Sequence, residues 1–327
     1  MNKFFNKIWY SKINFFSLIL FPLTIFYYLI TIIRKAFYKI GLFKTNYFNT
    51  PIVVIGNLTV GGTGKTPLCI WLCKYLQNSG IKVGIVSGGY KASSKKPMIV
   101  NSESDSFIIG DEACLIYNET NANVVSGGNR VSATELLEKK FKNDIIIHDD
   151  GLQHLALDRF LEILLVDNNK MFGNGLLLPA GPLRESKSKI NNVDILVINN
   201  SENENIPSIK SSNDSVINSI TSEEMTFKSF KNKTIHLVTG IASVNTIIKN
   251  LKENNILFNM HDYPDHYRFT GEELCFNDNK PIFITAKDYV KLKKLRNKSL
   301  WIINHKINPN DKFKSKLNNK LKEINII

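Results

Sequence analysis

The run GNLTVGGTGKTP, from Gly56 to Pro67, places a lysine and a threonine behind a cluster of glycines. Gly64, Lys65 and Thr66 fill the second half of the phosphate-loop pattern G-x-x-x-x-G-K-[ST], while Thr59 stands where its first glycine belongs. Backbone N–H groups through Gly61, Gly62, Thr63 and Gly64 can wrap phosphate oxygens, and the amino end of a following helix adds a favourable dipole. Lys65 would then reach the β- and γ-phosphates of a nucleoside triphosphate, and the Thr66 hydroxyl would hold Mg²⁺. Such a loop needs a carboxylate at the end of a neighbouring strand to position the metal. The run IIIHDD supplies Asp149 and Asp150 behind three isoleucines. A strand ending in two aspartates is a modest sign alone, because such residues also cap turns. Joined to the loop, it predicts a triphosphate–magnesium site.

Those side chains need a frame, and the surrounding sequence provides one. PIVVIGN reads as a buried strand entering the loop, and TPLCIWLCKYLQNSG as a helix leaving it, with Pro67 in the first turn and Gly80 as the stop. Strands are expected at IKVGIVS, ANVVSG, NDIIIHDD, LEILLVD and VDILVINN, with helices at GDEACLIYNE and RVSATELLEKKF. Strands alternating with helices predict an α/β fold, a P-loop NTPase-like and mainly parallel sheet with helices on both faces. From about Asn199 to Lys228 the chain turns polar and reads as a solvated linker or an irregular excursion. From TIHLVTGIAS onward a smaller α/β pattern follows, with strands near PIFITA and LWIINH. The expected division is therefore a membrane-associated segment at 1–45, a P-loop domain at 46–228 ending in the linker, and a carboxyl-terminal α/β domain at 229–327.

Within the first segment, INFFSLILFPLTIFYYLITII carries no charge between Lys12 and Arg34. As a helix it would run about 30 Å, the thickness of a bilayer's hydrocarbon core. Pro22 and the polar Ser17, Thr24 and Thr31 weaken it as a span, and basic flanks on both sides allow anchoring in the interface instead. The formal net charge of +13 suits anionic lipid, a phosphorylated substrate or nucleic acid. Without an RNP-like motif, zinc-finger spacing or a dense arginine cluster, a nucleic-acid partner is not expected. Of the four cysteines, Cys69 and Cys73 lie one turn apart on an apolar helix side and read as core packing rather than as metal ligands.

The runs GNLTVGGTGKTP, GDEACL, DDGLQH, FGNGLLLPAGPLRE and DHYRF occur in an order that resembles the tetraacyldisaccharide 4'-kinase family. The resemblance covers nearly the whole chain, and FGNGLLLPAGPLRE, which has no generic phosphate-loop purpose, is its most discriminating piece. In that family the first loop glycine is absent, so Thr59 agrees with it. The resemblance implies ATP as donor and a membrane-embedded lipid A precursor, a lipid disaccharide, as acceptor, at the cytoplasmic face of a bacterial inner membrane. It implies Lys65 and Thr66 on ATP and Mg²⁺, Asp149 and Asp150 near the metal, and Gln153 beside both. It implies Asp111 as the group that takes the sugar hydroxyl's proton and His266 as its partner. An imidazole that holds a carboxylate and shares the incoming proton is sound chemistry for that pair. Glu112 is a weaker candidate for the same place. Arg130 and Arg184 are candidates for phosphate or headgroup contacts, with solvated surface charge as the alternative.

Two positions depart from the family pattern. Gly88 in SGGY stands where an arginine is usual, and Ala286 in TAKD stands where a glutamate is usual. A membrane-tethered P-loop ATPase or GTPase serving as a switch is the rival reading. A guanine site would want [NT]-K-x-D, and TAKD fails it because Lys287 and Asp288 are adjacent.

Overall fold

The computed structural model describes residues 3–326 apart from Lys91, Lys95, Ala242, Ser243, Lys293, Lys294 and Arg296. Among these residues thirteen strands join in one sheet. In chain order they are β1 (Ile52–Gly56), β2 (Val83–Ser87), β3 (Met98–Ile99), β4 (Asn123–Ser126), β5 (Ile145–Asp149), β6 (Leu161–Asp167) and β7 (Ile195–Asn199). Then follow β8 (Ser208–Asn218), β9 (Glu224–Thr226), β10 (Thr234–Thr239), β11 (Leu257–Asp262), β12 (Ile282–Thr285) and β13 (Leu300–Pro309). They lie in the order β11-β10-β12-β13-β8-β7-β6-β1-β5-β2-β4-β3, with β9 beside β8. β1 is parallel to both β5 and β6, and its register sets Ile55 opposite Asp149. That register is why the phosphate loop, which follows β1, opens next to the two aspartates that end β5.

The helices are α1 (Lys3–Trp9), α2 (Phe15–Lys39), α3 (Lys65–Gln77), α4 (Ser106–Ile109), α5 (Asp111–Thr120), α6 (Arg130–Lys140), α7 (Asn245–Glu253), α8 (Ala286–Tyr289) and α9 (Asp311–Lys322). β1, β2 and β5 are buried along their whole length, as strands covered on both faces must be. On one face Leu68, Leu72 and Leu76 of α3 and Ile116 of α5 pack on Val53, Ile85 and Ile147, and Cys69 and Cys73 belong to the same core. On the other, Ala133 and Leu137 of α6 meet Val54, Val86 and Ile146. Cys69 and Cys73 are free and fully buried, and burial pushes the Cys73 thiol up to about 12, so they pack rather than ligate.

The polar stretch at 199–228, expected as a solvated linker, instead holds β8 and β9. β8 pairs with β7 on one edge and with β13, antiparallel, on the other, so the sheet runs unbroken from one half of the chain to the other. Side-chain polarity hid this strand, because its stability comes from backbone pairing and from the few apolar residues it buries, Ile209 and Val216 among them. The carboxyl-terminal helix also returns: Phe313, Leu317 and Leu321 of α9 join the core beneath α3, and Trp71 lies 5.8 Å from the Phe313 ring.

α2 is a 25-residue helix started by Asn14, whose side chain accepts from the Ser17 amide. The helix is long and apolar enough to cross a membrane, and only 11% of its most apolar window is buried. Its protein-facing seam is polar. Thr24 Oγ1 accepts from the Ala180 amide at 3.1 Å, Tyr27 donates to the Arg184 carbonyl at 2.9 Å, and Lys35 pairs with Glu185. Ser17 lies under Asn174 at the amino-terminal end of the same seam. Residues 17, 20, 24, 27, 31 and 35 are shielded along it, while Phe15, Leu18, Phe26, Ile30 and their neighbours face outward.

Candidate active site

Gly64 caps the amino end of α3 with φ 95°, and a Cβ there would meet the Asn199 side chain at 2.8 Å. Both facts require glycine at this turn. Asn199, at the end of β7, in turn donates to the Thr63 carbonyl at 2.9 Å and fixes the loop from outside. Thr66 donates its hydroxyl to Asp149 Oδ2 at 2.8 Å. The other oxygen, Asp149 Oδ1, is buried and has no hydrogen-bond partner. Burial, with the charge of Glu112 adding to it, pushes Asp149 up to about 7, against the opposing hydrogen bond from Thr66. A hydroxyl and a buried, under-partnered carboxylate side by side are a donor set that suits a hard cation. Lys65 donates to Asn57 Oδ1 at 3.1 Å and lies 3.7 Å from Asp150.

Asp150 adopts φ 54°, a left-handed conformation uncommon outside glycine. Arg184 Nη1 lies 3.1 Å from both of its oxygens. Burial would raise the Asp150 pKa, but Lys65 and Arg184 outweigh it and hold it below the usual range. Arg184 arrives on the run FGNGLLLPAGPLRE, which lies against the phosphate loop: Val60 donates to the Pro182 carbonyl at 2.9 Å, Arg184 donates to that of Leu58 at 2.6 Å, and Thr59 bridges Leu183. Thr59 therefore occupies a small piece of sheet, where a freely turning glycine has no role. Gln153 links the parts, donating to the Asn57 carbonyl at 3.1 Å and to Glu185 at 3.2 Å, and accepting from Arg184 at 3.3 Å.

Arg130 is not the solvated surface charge that was one of its alternatives. It is 4% exposed, and its guanidinium donates to the carbonyls of Val86, Asp149 and Asp150, clamping the turn between the two aspartates. A Cβ on Gly88 would meet Arg130 Nη2 at 2.9 Å, so Arg130 stands against the position where the family pattern has its other arginine.

The second cluster brings together residues 155 positions apart. His266 Nδ1 lies 2.9 Å from Asp111 Oδ2. Asp111 opens α5 directly after Gly110, and His266 is held at φ 66° after β11. A histidine in this sparsely occupied region is a strained placement that its surroundings must enforce. Asp111, His266, Lys291, Phe269 and Arg268 line a cavity of about 280 Å³. Glu112, the neighbouring residue, directs its charge toward Asp149 and Arg130. All the loop residues, Asp149, Asp150 and Gln153 thus gather at one cluster, with Asp111 and His266 in another at the start of α5. Four buried or bridging residues carry no sequence sign by which they were singled out: Asn57, Glu185, Asp288 and Lys291. Asn57 stands inside GNLTVGGTGKTP, Glu185 inside FGNGLLLPAGPLRE and Asp288 inside TAKD, but none of these residue types announces a partner.

A parallel sheet with a glycine-rich turn into a helix and a Thr–Asp pair at its edge defines a P-loop phosphotransferase fold. The profile described as LpxK, tetraacyldisaccharide-1-P 4'-kinase, matches residues 16–322, and the chain belongs to that family. The tetraacyldisaccharide 4'-kinase of Ruthia magnifica subsp. Calyptogena magnifica is 39% identical over 303 residues, 92% of this chain and 96% of that protein. The same-named protein of Pseudoalteromonas translucida is 34% identical over 322 residues, 98% of this chain and 97% of its own. The crystal structure of LpxK from Aquifex aeolicus in complex with ATP superposes with a TM-score of 0.80 at 28% identity, covering 94% of this chain and 99% of that one.

Proposed function

We propose that this chain is an ATP-dependent kinase that phosphorylates the 4'-hydroxyl of a tetraacylated glucosamine disaccharide 1-phosphate, a step in lipid A biosynthesis. The observation that carries the reading is the Asp111–His266 contact at 2.9 Å, an acid–base pair lining a cavity in a protein that also has a phosphate loop. The loop amides and Lys65 bind the polyphosphate of ATP. Thr66 and Asp149 would hold Mg²⁺, with Asp150 turned toward Lys65 and Arg184; when bound, the metal neutralises charge on the phosphate oxygens. Gln153 fixes Arg184 and the strand end at Asn57. His266 donates its Nδ1 proton to Asp111 and orients the free carboxylate oxygen. Asp111 takes the proton of the acceptor hydroxyl as its oxygen bonds to the γ-phosphorus, and the bond to the β–γ bridging oxygen breaks to release ADP.

The outward apolar face of α2 supports attachment to the cytoplasmic face of the bacterial inner membrane. Its contacts to the body of the protein extend from Ser17 to Lys35, so a helix crossing the bilayer would drag that body with it. The reading is therefore an interfacial helix, apolar side down, with the exposed Lys12 and Lys39 at its ends available to anionic headgroups. Incubation with γ-labelled ATP, Mg²⁺ and a tetraacyl disaccharide 1-phosphate in mixed micelles tests the whole. Label should pass to the lipid, and Lys65→Ala should abolish most of it while the protein stays folded. Hydrolysis with no transfer to any lipid would favour the switch reading instead.

A further inference from the structure

The catalytic pair has a third neighbour. Lys291 follows α8 with its side chain only 4% exposed, an unusual place for an ammonium. Its Nζ lies 2.7 Å from Asp288 Oδ1 and 3.7 Å from Asp111 Oδ2, the oxygen that His266 approaches. Asp288 is wholly buried, and its other oxygen accepts from the Thr285 hydroxyl at 2.7 Å and the Gly240 amide at 2.9 Å. The ammonium also stands 5.5 Å from the Phe269 ring centroid, an added hold on its position. Thr285, Asp288 and Lys291, spaced three apart, therefore form a rigid arm. It carries one positive charge from the carboxyl-terminal half of the sheet to the first residue of α5.

We propose that Lys291 is a positioning residue for Asp111, holding its carboxylate in place and aimed at the acceptor hydroxyl. The inference rests on the reading of Asp111 as the group that takes the acceptor's proton. Anchored by Asp288, the ammonium draws the Asp111 carboxylate toward one orientation, with Oδ2 turned to His266 and Lys291. The arm also explains why Ala286 is tolerated in TAKD: the hydrogen bonds run through Thr285 and Asp288, and Ala286 contributes only the first residue of α8.

The test measures kcat, KM for each substrate and ATP affinity on the full chain, using labelled ATP and the disaccharide lipid. Lys291→Met should lower kcat about 10- to 100-fold, within the range a positioned acid–base group supplies. ATP affinity should stay within about threefold, because Lys291 acts at Asp111 and leaves the phosphate loop alone. Lys291→Arg should recover most of the rate, since it restores the charge. If Lys291→Met fails to fold because Asp288 is left unpaired, Lys291→Met/Asp288→Asn replaces the ion pair with a neutral one, and the same loss of kcat is expected of it. Asp111→Ala separates the two readings. Combined with Lys291→Met, it should be no slower than alone, because the lysine acts through the aspartate. A normal rate in Asp111→Ala would sink the assignment of the base. A slow Asp111→Ala beside an unimpaired Lys291→Met would sink only the role of the lysine. Multiplicative losses, or a rise in acceptor KM with kcat unchanged, would equally overturn that role and make Lys291 a substrate contact.

Discussion

Asp149 is the residue whose environment predicts most. Its folded pKa of about 7 stands above that of a free aspartate, near 3.9. Between those values the unfolded chain has released a proton that the folded one still holds, so this group's stability contribution falls as pH rises through that window and is level above it. Asp149→Asn removes the effect. Its melting temperature, compared with that of the parent, should gain steadily from about pH 4 to about pH 7 and then level off; a constant difference would mean that Asp149 is already ionised at the lower end. Magnesium–nucleotide affinity should rise over the same interval in the parent and stay flat in the variant, checked by titration at fixed metal. For the Asp111–His266 pair, each single alanine substitution should slow turnover by about 10²–10⁴-fold. The double variant should be little worse than the slower single one, as for groups acting as a unit. Fully multiplicative losses would separate them, and a normal rate in Asp111→Ala would turn attention to Glu112. The loop lysine, its threonine and the paired aspartates were legible because short-range spacing after a strand carries them. Asp111 and His266 depended on a resemblance between runs, since no local pattern ties residues 155 positions apart. Lys291 and Asn57 are ordinary polar residues whose meaning comes only from what folds against them.

Among the elements, α2 shows how a local reading can be right about type and incomplete about purpose. Ser17 and Thr24 look like flaws in a membrane span, yet they form part of the seam that docks the helix on the run carrying Arg184 and Glu185. Thr24→Val keeps the shape and removes the acceptor of the Ala180 amide, leaving a buried donor unpaired at a cost of about 1–3 kcal/mol. Thermal unfolding should register that loss, while membrane association is kept because the outward face is untouched. An unchanged melting temperature would show that the seam contributes little. Removing residues through Ile33 should partly release the protein from membranes and weaken its use of a long-chain acceptor. High salt should strip the intact chain only incompletely, since each flanking lysine contributes about 1 kcal/mol at an anionic surface and the apolar face is indifferent to salt. Sedimentation with vesicles checks both, and complete release by salt alone would refute insertion of the apolar face. The misreading of β8 has the opposite origin. Serine, asparagine and aspartate argue for loop on propensity, and pairing with β7 and β13 overrides it.

At the scale of the molecule, one sheet and a returning helix make the two halves interdependent. Trp71 sits under α9 and Trp301 lies in β13, so each reports on one side. With Trp9 also replaced, variants retaining only one of the two should unfold at the same urea concentration, as a single cooperative unit does; separated midpoints would mean that the halves melt apart. The continuity of the sheet also has a consequence during synthesis. β8 ends at Asn218 and its antiparallel partner β13 begins only at Leu300. At a ribosome's usual pace of about 5–20 residues per second, the β8 edge waits roughly 4–16 s for the strand that will cover it. An open edge of that length is a template for other chains unless its sequence discourages pairing. Lys210, Asn213 and Asp214 lie in β8 itself, poor material for a sticky strand. The polarity that made this strand read as a linker is what lets the nascent chain wait without capturing its neighbours on the polysome.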